Sequence, residues 1–432
     1  MLLFKSQLYH QNKIRQSLKL YKFCALVILI LGTLTIRTNA QDNPLEITEY
    51  TFIDYDKNIF EITGDSNSYA YLFSQFSDIG LKGKGKVNIV HIGDSHIQAD
   101  FLSGTFRKKL QSFFLGSISG RGFIFPYKVA KTNNPFNYKV KSKGEWVSCR
   151  NVEQDLKCKL GLSGIAIITQ DSLAEIRISI ADKNLPGYDF DRLMVFHDID
   201  TCSFKPQISY PEPIKISENK ELWYTLFEFE TSVDSMVLNV HRTDSSQNKF
   251  TLHGLNFDSN DTGITYHTVG VNGAQIESYL KCENFIPHLK ALDPQWVIVS
   301  LGTNDVYTDN FNTQKFETGF VEMVKRIRKA APDCAILFTT PGDHLVKREY
   351  KNENIGKASG IIKQKVQELN ISYWDFNSIM GGEGSINAWF ALGMAHTDFL
   401  HYTRKGYEYQ GQLLFNAFLK TYDKFIEKDF DK

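Results

Sequence analysis

Apolar residues along this chain follow two rhythms, and the change from one to the other divides it. In the outer parts, short continuous apolar runs end in Gly, Asn or Asp and give way to stretches with apolar positions three or four apart. The runs at 87–92, 264–269, 296–301, 335–340 and 371–375 predict buried strands. The stretches 96–114 (Ile97, Phe101, Phe106, Leu110), 274–290 (Ile276, Leu280), 314–330 (Phe316, Phe320, Val324, Ile327) and 404–427 (Tyr407, Leu414, Phe418, Tyr422, Phe425) predict helices. Strands alternating with helices predict an α/β domain, a parallel sheet covered by helices on both faces.

Between about 130 and 262 the period drops to two. Ile176, Ile178 and Ile180 alternate with polar residues, as do Met236, Leu238 and Val240. Residues 192–196, 222–229 and 250–252 are further short strands with turn-rich breaks, and no stretch has the length of a useful helix. This predicts an antiparallel β-sandwich of jelly-roll type inserted into the α/β domain. The organisation is then 41–128 as the first part of the α/β domain, 129–261 as the β insert, and 262–432 as the second part. No internal repeat or low-complexity segment is visible.

Composition adds little to that picture, with 42% apolar and 23% charged residues in an ordinary globular range. Charge is more informative in its distribution. Lysine plus arginine and aspartate plus glutamate balance at 49 each, but residues 1–40 hold Lys5, Lys13, Arg15, Lys19, Lys22 and Arg37 and no acid. Behind that basic leader Phe23 to Ile36 is an apolar run, short for a membrane span and suited to a signal-peptide core. Thr38-Asn39-Ala40 precedes a plausible cleavage point at Gln41, and an uncleaved N-terminal anchor is the alternative. Either implies export of the rest of the chain. No basic patch interleaved with aromatics argues for nucleic acid. Cys149 and Cys158 flank a short polar stretch that a disulfide could close in an oxidising compartment, while Cys202, Cys282 and Cys334 match no zinc spacing.

Three blocks in the outer parts carry candidate chemistry. Gly93-Asp94-Ser95 follows the 87–92 strand and precedes a helical stretch, so a hydroxyl sits at the carboxyl edge of the sheet, where α/β proteins build sites. Gly302-Thr303-Asn304-Asp305 closes the 296–301 strand. Asp398 stands three residues before His401, a spacing that brings a carboxylate to the imidazole. Read singly, each has an ordinary role: Asp94 or Ser95 as a helix cap, Asn304 in an Asx turn, His401 beside a helix start. Asp94 and Asp305 suit loop-holding hydrogen bonds, and His91 suits a satisfied core position.

Taken together, serine, then Asn on a second strand-end loop, then Asp-x-x-His resembles the SGNH (GDSL-type) hydrolases. The chain has Gly-Asp-Ser-His where that family has Gly-Asp-Ser-Leu. The resemblance implies a catalytic triad of Ser95, His401 and Asp398, with the oxyanion held by the N–H groups of Ser95 and Gly273 and the side chain of Asn304. Gly270 is the alternative to Gly273, as a plain turn glycine. It also implies no cofactor and no metal. Residues 93–100 (GDSHIQAD), 120–127 (GRGFIFPY) and 265–274 (TYHTVGVNGA) look like bacterial peptidoglycan O-acetylesterases, which carry a carbohydrate-binding-like β module between the serine and glycine blocks. The expected partner is an acetylated glycan, peptidoglycan first, with Trp146, Trp223 or Tyr224 of the insert as candidates to stack on sugar. Three other outcomes stay open: esterase action on another acetylated polysaccharide, O-acetyl transfer to a sugar hydroxyl, and glycan binding without catalysis.

Overall fold

The computed structural model describes residues 46–64, 66–114, 116–180 and 187–430. The basic leader, the apolar run with Cys24 and the cleavage point lie outside them. Among the described residues no helix is long and apolar enough to cross a membrane.

Six strands form the central sheet, in the order Glu61–Ile62, Ser372–Trp374, Ala335–Thr339, Trp296–Ser300, Lys86–Gly93, Gly263–Gly270. All neighbours run parallel except the first pair, so the sheet is mixed at one edge and not wholly parallel as expected. Val297, Ile298, Val299, Ile336, Leu337 and Phe338 are fully buried, as near-continuous apolar strands covered on both faces should be. The chain leaves strand Lys86–Gly93 for its neighbour on one side, Gly263–Gly270, and then crosses to Trp296–Ser300 on the other. That reversal opens a crevice at the carboxyl end of Lys86–Gly93, the usual place for a ligand in an open α/β sheet.

The helices Thr313–Ala330 and Arg404–Phe430 lie where the periodicity predicts them. Two other predicted helices are broken. The 96–114 stretch divides into Ser95–Gln98 and Leu102–Phe113 around Asp100, whose φ of 57° is left-handed. The 274–290 stretch divides into Ile276–Leu280 and Phe285–Ala291. Pro287 causes the second break, because in a continuous helix it would remove a hydrogen bond and clash with the preceding turn. In the first turn of a new helix it is harmless. Helices Ser66–Ser77 and Asn354–Glu368 were not anticipated.

The insert is antiparallel, as expected. One sheet runs Lys215–Asn219, Tyr224–Val233, Phe190–His197, Phe250–Asp258, Ile165–Thr169, Val147–Arg150, and a second runs Lys139–Lys143, Glu175–Ser179, Ser235–His241, Lys205–Tyr210. Its seam differs from the 128/129 boundary: Gly122–Ile124 already pairs with Phe250–Asp258. One hydrophobic cluster also runs through both parts, joining Val90 and Ile92 of the central sheet to Phe123, Phe196, Leu255 and Leu289. Cys149 and Cys158 form a disulfide. Trp223 departs from its expected place in an alternating strand, standing just before Tyr224–Val233 at φ 60° with Lys159 over its ring. It, Trp146 and Tyr224 are half-buried.

Candidate active site

Three adjacent strands deliver the three loops. Strand Lys86–Gly93 ends at Ser95, Gly263–Gly270 leads to Gly273, and Trp296–Ser300 leads to Asn304. Gly93 turns the first loop where no side chain fits, since a Cβ would collide with Ile97 and lie 3.0 Å from the Ser300 carbonyl. Asp94 caps the serine's helix, accepting the His96 N–H at 2.9 Å, and leaves the Ser95 N–H without an acceptor among the described residues. That helix is a single turn, so any dipole effect on Ser95 comes from its first N–H groups rather than from a long macrodipole.

The structure brings Ser95, His401 and Asp398 into one hydrogen-bonded chain. Ser95 Oγ lies 3.0 Å from His401 Nε2, and His401 Nδ1 lies 2.8 Å from Asp398 Oδ2. The other oxygen, Asp398 Oδ1, accepts the backbone N–H groups of Leu400 and His401, both at 3.0 Å. One carboxylate thus folds the turn and orients the ring that the turn carries. Partial burial pushes the Asp398 carboxyl up, but the His401 N–H, the imidazole and the Leu400 N–H together hold it below its ordinary value. It therefore stays charged beside the ring, where it fixes Nδ1 as the donor and Nε2 as the acceptor facing Ser95.

His96 is the neighbouring imidazole, its ring 5.4 Å from that of His401 and its Nδ1 2.9 Å from the Tyr407 hydroxyl. Burial, reinforced by His401 and His344, pushes its pKa down to about 3, so it is a poor base. His91 is the satisfied core residue it was expected to be, with Tyr266 and Ser300 hydroxyls at 2.6 and 2.8 Å.

Of the two candidate glycines, Gly273 has the free donor. Its φ is +80°, it is exposed, and its N–H has no acceptor among the described residues. Gly270 has both backbone groups engaged by the Tyr127 hydroxyl, at 2.8 Å from its carbonyl and 3.3 Å from its N–H. It is no plain turn glycine either: a Cβ there would collide with the Gln98 backbone N, so its bareness lets the serine's helix sit on the strand end.

Asn304 is placed differently from a free oxyanion donor. Its side-chain amide donates to Asp94 Oδ2 and to the Ala274 carbonyl, each at 3.1 Å, tying the three loops together. Both amide hydrogens are occupied, and acting on an oxyanion requires giving up the Ala274 carbonyl. Asp305 holds the Ile276 N–H at 3.2 Å, and burial raises both Asp94 and Asp305 to about 7, with backbone N–H groups opposing the rise. A groove of about 700 Å³ opens beside this corner, lined by Gln275, Asp305, Phe311, Asn312, Gln314 and Phe316 among others. Among the described residues no cluster of His, Cys, Asp or Glu is arranged to hold a metal ion.

Behind the serine lies a buried charge cluster without a counterpart in the sequence reading. Asp100 accepts from Arg107 Nη2 at 2.8 Å, Arg121 Nη2 at 2.6 Å, Ser103 Oγ at 2.6 Å and the Asn137 amide. Burial would raise its pKa, but the two guanidinium charges hold the carboxyl well below its ordinary value. Arg121 and Asn137 come from the approach to the β insert, so the cluster ties the serine's helix to it.

A solved peptidoglycan O-acetylesterase superposes on the structure with a TM-score of 0.70, over 84% of this chain and 99% of its own, at 19% identity. The chain has the SGNH (GDSL-type) hydrolase fold. Residues 241–409 match the GDSL-like Lipase/Acylhydrolase family, a stretch that includes Gly273, Asn304, Asp398 and His401, while Ser95 lies ahead of the insert and outside it. The fold and the family match over residues 241–409 together support a carboxylic ester hydrolase. A lipase/acylhydrolase from Enterococcus faecalis and an acetylxylan esterase from Geobacillus stearothermophilus superpose in part only. Their TM-scores are 0.29 and 0.28, over 36% and 37% of this chain and 75% and 72% of theirs, at 19% and 18% identity. No curated protein sequence matches the chain.

Proposed function

We propose that the protein is an exported serine esterase that removes O-acetyl groups from a cell-wall glycan, peptidoglycan muramic acid first, through an acetyl-enzyme on Ser95. The observation that carries this reading is the unbroken Ser95–His401–Asp398 hydrogen-bond chain beside two free backbone N–H groups. Ser95 Oγ attacks the acetyl carbonyl as His401 Nε2 takes its proton, and the resulting imidazolium faces the Asp398 carboxylate. The N–H groups of Ser95 and Gly273 receive the oxyanion, with Asn304 as a third donor once it releases Ala274. The imidazolium then gives its proton to the departing sugar oxygen, and water, activated by the same imidazole, releases acetate.

Two observations support the choice of substrate. The solved peptidoglycan O-acetylesterase covers 84% of this chain, and that extent reaches well beyond an α/β domain alone. The groove next to the oxyanion corner is lined by Gln275, Asn312 and Gln314 with Phe311, side chains suited to sugar hydroxyls and a ring face. Export is supported by the basic leader with its apolar run and by the Cys149–Cys158 disulfide. The test is covalent: a fluorophosphonate should label the wild-type protein at Ser95 alone and leave Ser95→Ala unlabelled. Labelling at another residue would overturn the mechanism.

A further inference from the structure

Gln98 lies on the serine's own helical turn, three residues after Ser95, and only 1% of it is exposed. Its side chain uses both ends. The carbonyl Oε1 accepts the backbone N–H of Asn272 at 2.8 Å. The amide Nε2 donates to Asn133 Oδ1 at 2.7 Å and to the Asn133 carbonyl at 3.0 Å, with Thr132 Oγ1 at 3.1 Å. Asn133 Oδ1 also accepts from the side-chain amide of Asn272 at 2.6 Å. Asn272 is therefore gripped at its backbone and at its side chain, by a single buried glutamine and the asparagine that glutamine holds.

The residue gripped is the one before Gly273. Glycine permits a left-handed φ but does not enforce it, since it reaches both signs of φ about equally well. The Ala274 N–H closes a turn around it on the Val271 carbonyl at 3.0 Å, but the central peptide of such a turn can face either way, and a Cβ on Gly273 would find no atom nearer than Val152 at 3.9 Å. The direction of its N–H thus depends on the frame of Asn272. We propose that Gln98 is the positioning residue of the oxyanion hole, holding Asn272 so that the Gly273 N–H faces the ester carbonyl. Because Gln98 and Ser95 share one turn of helix, donor and nucleophile keep a fixed spacing when that turn shifts. The inference rests on the acetyl-enzyme mechanism above and is independent of which glycan carries the ester.

The test uses the full chain, with 4-nitrophenyl acetate as substrate and an arylboronic acid as a tetrahedral adduct of the serine. Gln98→Met keeps the volume and removes both hydrogen-bonding ends. A lost oxyanion donor costs on the order of 10²–10³ in turnover. A misaimed one should lower kcat roughly ten- to a hundredfold with KM within about twofold, and weaken the boronate by a similar factor. Asn133→Ala removes an exposed partner of the same network and should lower kcat a few-fold at an unchanged Tm, which keeps the test decisive if Gln98→Met does not fold. A folded Gln98→Met with wild-type kcat and boronate affinity, a loss confined to KM, or an unaffected Asn133→Ala overturns the proposal. Wild-type protein without any hydrolysis would instead overturn the esterase reading, and this proposal with it.

Discussion

Replacing Asp398 by Asn changes one atom and should silence the enzyme through the tautomer of His401. The carboxylate has two separate duties, with Oδ1 accepting two backbone N–H groups at 3.0 Å and Oδ2 accepting His401 Nδ1–H at 2.8 Å. An asparagine has one oxygen for the two places. If the oxygen stays with the backbone, the amide NH₂ faces Nδ1, which must then be the acceptor. The imidazole proton moves to Nε2 and points at Ser95 Oγ, so the ring has no lone pair for the serine proton. The reverse placement sets the NH₂ against two N–H groups, leaving donors unsatisfied at about 1–3 kcal/mol each. The wrong tautomer is therefore the lower state. An equivalent change in a serine triad costs ~10⁴ in kcat, which is about 5.5 kcal/mol of transition-state stabilisation. Burst and steady-state hydrolysis of 4-nitrophenyl acetate should show that fall with the acylation step affected, while circular dichroism and Tm stay close to wild type. A variant within tenfold of the wild-type kcat would refute this account of Asp398, because it would mean that the imidazole is oriented by something else.

Asp100→Asn should cost about 3–5 kcal/mol in chemical denaturation, since it leaves Arg107 and Arg121 buried beside a neutral amide. The folded carboxyl lies below its unfolded value of 3.8, so its contribution is complete above that pH and is lost as pH falls below it; the variant should flatten that acid limb, and an unchanged limb would contradict the assignment. Gly270→Ala should destabilise the protein and abolish hydrolysis together, because the new Cβ drives the Gln98 backbone away from the strand end; full activity at wild-type Tm would refute the close contact. Asn304→Ala should lower kcat about 10²–10³-fold with little effect on KM, and lower Tm as Asp94 loses its partner. A pure KM defect would leave Asn304 a tie between loops.

The strands of the central sheet were legible because buried strands are near-continuous apolar runs, and five of the six follow from that alone. The sixth, Glu61–Ile62, is two residues long and carries no period. The missed helix Asn354–Glu368 does bury Ile355, Ala358, Ile362 and Val366 at helical spacing, but Gly356 and Gly360 dilute the pattern. Pro287 was a visible signal for one broken helix. Asp100 gave none for the other, since no local period marks a left-handed residue or the arginines that hold its carboxylate. Motif order carries the expectation that Ser95, His401 and Asp398 meet, and the structure brings the three side chains together. Gly273 is favoured over Gly270 already by its place before a helical stretch, whereas the Tyr127 hydroxyl that engages Gly270 is not legible in the sequence, and Gln98 stands inside the serine block without any pattern to mark its partners. What stays hidden at Gly270 and Gln98 is a contact between segments far apart in the chain.

Acetate release from O-acetylated peptidoglycan tests the central claim most directly. The wild-type protein should liberate acetate from intact O-acetylated sacculi and none from sacculi de-O-acetylated beforehand by mild alkali. Ser95→Ala, folded to the same Tm, should release none from either. Acetate release that persists in Ser95→Ala, or wild-type protein that hydrolyses 4-nitrophenyl acetate yet leaves O-acetylated sacculi untouched, would contradict the account.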